Sequence, residues 1–268
     1  ELVRKALHTF EERNHVLGQA LCEAVAGEIE FQLGDYESAR LTIQSGERNF
    51  AALDQPVGRG QCLLLLSWIE HSEGTTDRSR RLAQEARNEF ERAGYRLGTA
   101  QADVSIAHVE HRLMNFHSSE AGAFEALQTF DVLRTPRGQA ACDRLLAMIG
   151  IDTDDLDMAE LHTDRAHKQF VKMGDPWGVM ESKLLFCQLA LVRHQPDKAR
   201  ALIEECSRIT VEEAEAKQHY LLTCAWYEHS RSRPDRAFEY IEAAADVFGP
   251  RIRAAPLSFL IPPRAARR

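Results

Sequence analysis

Gly18, Gly58, Gly98, Gly138 and Gly178 stand forty residues apart. Phe50, Phe90, Phe130 and Phe170 keep the same interval, each thirty-two residues after a glycine. A period this strict describes one supersecondary unit stacked on copies of itself, not a single core around an enclosed pocket. A chain of 268 residues is long enough for several such units.

Within one period the pattern is helical twice over. From Gly18 to Leu33 the apolar residues Leu21, Val25, Ile29 and Leu33 recur at helical spacing. Gly34-Asp35-Tyr36 breaks the run, and a second helical stretch from Glu37 to Leu53 ends at Asp54-Gln55-Pro56. Thr135-Pro136-Arg137-Gly138 and Gly174-Asp175-Pro176-Trp177-Gly178 are further breaks of that kind. Each period therefore predicts a helix hairpin. Nineteen residues past each anchor stand Glu37, Asp77, His117, Asp157 and Asp197, mostly acids suited to a helix start. Small residues follow at Ala39, Ser79, Ser119, Ala159 and Ala199, and again at Gly46, Ala86, Ala126, Ala166 and Cys206. These positions predict close helix approach, with the phenylalanines filling the wider gap between layers.

A two-residue shortening around Val211 shifts the register, so that Ala216 takes the anchor role and Asp235, Ala237, Ala244 and Phe248 follow at the same offsets. Ala6 and Phe10 fit the end of a preceding second helix. The expected division is residues 1–16 as that second helix, 17–249 as six hairpins starting near 18, 58, 98, 138, 178 and 216, and 250–268 as a short terminal segment with a basic tail. Glu1 lies inside a helical pattern without an initiating methionine, which reads as a fragment of a longer protein.

Composition narrows the role. The net charge of −8 argues against nucleic acid as a partner of this segment. No apolar run approaches twenty residues and no signal peptide is evident, so a cytoplasmic protein without membrane contact is expected. Cys22, Cys62 and Cys142 occupy one repeat position, and equivalent positions in stacked helices lie about 10 Å apart, too far for a disulfide. Small buried thiols are expected.

The hairpin resembles a tetratricopeptide repeat. Late small residues in the first helix (Gly27, Ser67, Ala107, Ala147, Cys187, Ala225), the small pairs in the second, Gly34-Asp35-Tyr36 and Gly174-Asp175-Pro176-Trp177-Gly178 carry the resemblance. The forty-residue spacing is similar to the long-turn type found in kinesin light chains, bacterial peptide-sensing regulators and sensor regions of bacterial activators and signalling ATPases. HEAT-like repeats share the length and are the alternative fold. One departure stands out: Glu30, Glu70, Glu110 and Glu228 (with Gly150 and Ala190 in the other units) replace the tyrosine usual near the end of the first helix. The resemblance implies an all-α, right-handed α-α superhelix, or solenoid, of about six hairpins, with first helices lining a concave groove.

Groove-facing positions would lie about three, six, ten and thirteen residues past each anchor. The partner-binding candidates are Gln61, Leu64, Trp68, His71, Gln101, Val104, His108, His111, Arg112, Arg144, Met148, Trp226 and His229. Leu21, Ala24, Glu28, Phe31, Ile151, His219 and Leu222 fall at the same offsets. Trp68-Ile69-Glu70-His71, His108-Val109-Glu110-His111 and Trp226-Tyr227-Glu228-His229 share an aromatic ring, an apolar residue, Glu and His. The ring and the last His, three apart, share a helix face. Such a patch suits a peptide segment. The alternative is inherited repeat sequence, with Trp filling the space between units and Glu-His at a solvated helix end. A zinc site at these histidines lacks an evident third ligand. No phosphate loop, dinucleotide fingerprint, Cys-x-x-Cys or His-Glu-x-x-His is present, and the carboxylates read as solvated.

The expected function is a non-enzymatic, cofactor-free interaction module that holds a peptide or helix of a partner protein, as part of a larger bacterial regulatory protein. Two alternatives stand beside it. One is a ligand- or peptide-sensing domain controlling an attached effector. The other is a scaffold that self-associates through its end layers, with Phe10 and Leu257–Ile261 as candidates.

Overall fold

The structure is a computed structural model that describes residues 2–210 and 214–247. Phe248, the terminal segment with its Leu257–Ile261 stretch and Val211 lie outside the described residues. All described secondary structure is helical. The order is α1 (Leu2–Glu12), α2 (Val16–Gln32), α3 (Tyr36–Ala52), α4 (Pro56–Ser72), α5 (Thr76–Arg92), α6 (Arg96–Arg112), α7 (Phe116–Leu133), α8 (Pro136–Thr153), α9 (Leu156–Met173), α10 (Pro176–Val192), α11 (Pro196–Cys206), α12 (Ala214–Ser230) and α13 (Pro234–Val247).

Helices of seventeen or eighteen residues recur because stop signals recur. Asn14, Gly34, Asp54, Gly74, Gly94, Met114, Arg134, Asp154, Gly174 and His194 all take positive φ, so a left-handed residue ends a helix every twenty positions. The amide after it commonly bonds back into the last turn, as Gln55 N–H does to Phe50 O (2.9 Å) and Thr75 N–H to Glu70 O (2.9 Å). This is a Schellman-type closure. The next helix starts at once: Asp35, Asp155 and Asp175 accept amides of the first turn, and Pro56, Pro136, Pro176 and Pro196 open their helices.

The chain forms two compact units, residues 1–133 and 134–268. In the first, α2 packs on α3, α4 on α5 and α6 on α7, while α1, α3 and α5 each lean on the first helix of the following hairpin. In the second, α8/α9, α10/α11 and α12/α13 pair in the same way. Successive first helices also touch: α2 with α4 and α4 with α6 in one unit, α8 with α10 and α10 with α12 in the other.

Phenylalanine and glycine are direct partners. A methyl group built on Gly58 would lie 2.5 Å from the Phe50 ring, and one on Gly98 would lie 2.5 Å from Phe90. Gly18 and Gly178 stand in the same relation to Phe10 and Phe170. The anchor is glycine because the ring closing one second helix lies against the first turn of the next helix, in the space a side chain there would need. Phe50, Phe90 and Phe170 are buried accordingly. At Ala216 the same third helical position is filled by a methyl group, buried against Met180, Leu184 and Cys206.

Candidate functional site

The thirteen candidate residues fall into two groups, one in each unit. In the first unit, Trp68 on α4 and His108 on α6 meet edge to face, with centroids 5.2 Å apart. His71, one turn beyond Trp68, stands 5.7 Å from it and 6.1 Å from His108. Three rings therefore form a triangle across α4 and α6. Arg112 Nη1 donates to the His71 carbonyl at 2.6 Å, tying the end of α6 to α4. Trp68, His71 and Arg112 are half-buried. His108 is buried at 5% exposure, so it backs the tryptophan rather than offering a surface.

The other candidates of this unit are dispersed. Gln61 and Gln101 are exposed, Val104 is buried, and Leu64 packs against the core around Leu63, Phe90 and Ala102. His111 turns toward Phe116, 5.7 Å between centroids.

In the second unit, Arg144 on α8 lies over the Trp177 ring, 5.4 Å from its centroid, with Met148 Sδ and Glu181 Oε2 at 3.9 and 3.5 Å from Nη1. Glu181 on α10 is buried, and His219 Nδ1 lies 2.8 Å from its carboxylate. The other nitrogen of His219 stands 2.8 Å from Gln188 Nε2, which also reaches Thr223 Oγ1 at 3.2 Å. Burial alone would raise the Glu181 pKa. The attraction of His219, its hydrogen bond and Arg144 outweigh it, so the carboxylate is held below its ordinary value. Trp226 packs against Leu189, Leu191 and Tyr227 of the core, and His229 is exposed.

Three features depart from the expected picture. The carboxylates are not all solvated: Glu70, Glu110, Asp143, Glu181 and Glu228 are buried. Glu70 is bonded to Arg40 and Thr75, with Arg78 at 3.3 Å, while Glu110 meets Arg80 at 2.6 Å. They sit at ends of first helices because an arginine from the preceding second helix reaches over to them, so the solvated-end reading fails there. Glu181 and Gln188 were missed as site residues, although offsets of three and ten past Gly178 single them out. Asp143 and His162 form a buried pair at 2.7 Å that no single-helix pattern reveals. Among the described residues no three His, Cys, Asp or Glu are grouped to hold a metal ion.

No protein-family description and no curated protein matches this chain. Solved structures do. A Rap protein complexed with competence and sporulation factor superimposes with a TM-score of 0.73 at 12% identity, over 86% of this chain and 64% of the Rap chain. The chain thus spans just under two thirds of that protein. The Rap conjugation gene regulator of plasmid pLS20, in complex with the Phr* peptide, gives 0.68 at 12% identity, over 91% and 75%. BtubC (BKLC) from P. vanneervenii gives 0.60 at 18% identity, over 77% and 87%. The fold is that of tetratricopeptide-like helical repeats.

Proposed function

We propose that this chain is an interaction module that holds a peptide or helical segment of a protein partner against the first helices α4 and α6. The observation that carries this reading is the ring triangle of Trp68, His71 and His108. A half-exposed tryptophan backed by a buried imidazole, with a cationic group fixed beside it, has the makings of a binding hot spot. The contact between α4 and α6 draws first helices together, so their outer face offers neighbouring side chains to one extended ligand.

The repeats are of the forty-residue, long-turn type, a reading supported by a left-handed residue at every twentieth position. The host is a bacterial regulatory protein of the cytoplasm in which the module answers to a peptide. Two of the fold neighbours are complexes with a named factor or peptide, and the six cysteines here are free thiols.

Selection from a peptide-display library on the immobilised chain tests this. Peptides selected by the wild type should lose about tenfold or more in affinity for Trp68→Ala and keep it for Glu85→Ala, a change on the exposed side of α5. Equal binding by wild type and Trp68→Ala, with unchanged helical circular dichroism, would contradict the assignment.

A further inference from the structure

Arg144 on α8 carries more hydrogen-bonding capacity than the chain uses. Its side chain is 17% exposed, close to the 18% of Arg40. Arg40 answers to two carboxylates, Glu70 and Glu73. Arg144 has one, Glu181, at 3.5 Å, the long limit of a hydrogen bond, and beside it the Met148 sulfur at 3.9 Å. Nη1 makes both contacts. Nε is buried with no hydrogen-bond partner, and Nη2 bonds to none of the described residues. The guanidinium is held instead by the Trp177 ring, 5.4 Å from its centroid. A buried donor without an acceptor is costly, so this position calls for an acceptor that the chain does not provide.

Glu181 does not meet that need. The carboxylate oxygen that faces Arg144, Oε2, is also the one 2.8 Å from His219 Nδ1. His219 is occupied on its other side by Gln188. Nor does stacking of first helices require these groups. Three and six residues past its anchors the first unit has the uncharged pairs Leu21 and Ala24, Gln61 and Leu64, and Gln101 and Val104, where the second unit places Arg144, Glu181 and His219.

We propose that Arg144, walled by Trp177 and Met148, is the centre of an oxyanion-binding subsite in the second unit. The subsite is independent of the reading given to α4 and α6. A carboxylate or phosphate oxygen of the ligand accepts from Nη2, and a small turn of the guanidinium on the Trp177 ring brings Nε to a second oxygen, the planar side-on geometry that suits arginine. Glu181 and His219 are positioning residues. His219 takes up the Glu181 carboxylate, which leaves the charge of Arg144 in excess at this point of the face.

The test titrates the folded, isotope-labelled chain with sodium acetate and, separately, with sodium phosphate, each against sodium chloride at equal ionic strength. The Arg144 Nε–H and Trp177 indole N–H resonances should move and saturate, with half-saturation at about 10 mM or below. Saturation by acetate alone assigns the ligand group as a carboxylate, by phosphate alone as a phosphate, and by both as either oxyanion. Glu181→Gln removes the nearest like charge and should tighten binding about fivefold. Arg144→Gln should leave the indole responding only as it does to chloride. The proposal is overturned if neither salt gives a saturable change beyond chloride in the wild type, or if that change survives Arg144→Gln. Binding by Glu181→Gln that is no tighter than wild type also overturns it.

Discussion

The guanidinium of Arg40, near the start of α3, is bonded to the buried carboxylate of Glu70 at the end of α4, thirty residues later and in the next hairpin. The same guanidinium also takes Glu73. Arg80 repeats the reach to Glu110. The sequence carries the matching pattern: arginine stands twenty-two residues past the anchors Gly18, Gly58 and Gly178, and glutamate stands twelve past the next anchor in each case, at Glu70, Glu110 and Glu228. Where that position is Glu120 or Glu160, the next unit has Gly150 or Ala190. The last pair is drawn differently, with Arg200 on Glu204 and Glu228 facing Arg233. An acid is thus placed at a buried helix end only after a hairpin that offers a cation.

Removing one partner of a buried ion pair leaves an uncompensated charge and costs about 3–5 kcal/mol. Arg40→Met should fall near the lower end of that range, since Thr75 and Arg78 still reach Glu70. Adding Glu70→Leu should restore much of the loss. Urea unfolding of the single and double variants measures both.

The ring of Phe50 occupies the space a side chain on Gly58 would need. Phe50→Ala should cost about 3–5 kcal/mol. Gly58→Ala should cost about 1–3 kcal/mol by overpacking, and much less in the Phe50→Ala background, where the methyl group has room. Strict additivity of the two changes in denaturant melts would refute the packing account.

Burial first, and then the nearby charge of Lys183, lower the pKa of His167, whose Nδ1 lies 2.8 Å from Ser182 Oγ. A histidine depressed on folding binds its proton more readily when unfolded. Its contribution to stability is therefore present above its ordinary value of 6.5 and fades as pH falls through that value toward the folded one. Glu181, depressed for the reasons given above, adds stability that is present above 4.5 and is lost below it. Thermal melts should show a first decline just below pH 6.5 that His167→Gln removes, and a second below pH 4.5 that it does not.

The cysteines should be nearly inert in the native state. Burial pushes the Cys62 and Cys206 thiols up to about 12 and Cys224 to about 11, and raises Cys187 further. Cys22 is only half-buried. A thiol reagent at pH 8 should modify Cys22 first and the other five only on unfolding. Rapid labelling of Cys62 in the folded chain would contradict the burial described.

The hairpins were legible in the sequence because each boundary is marked twice, by a helix stop and by a glycine under a ring. The stops were less visible where Met114, Arg134 and His194 take the left-handed conformation that glycine takes elsewhere. Those positions are set by the repeat register, not by local preference. Glu70 and Glu110 escaped because their arginines, Arg40 and Arg80, lie thirty residues away, and a pattern read along one helix sees only the acid. The site was half visible. Spacing on α4 placed Trp68 and His71 on one face, whereas the burial of His108 and the Glu181–His219–Gln188 chain depend on packing between helices.

Hydrogen exchange of the chain with and without a selected peptide tests the central claim most directly. The account predicts slowed exchange in the last turns of α4 and α6, around Trp68, His71 and Arg112, with α5 and α7 unchanged. Protection confined to α5 and α7, with α4 and α6 unaffected, would contradict it.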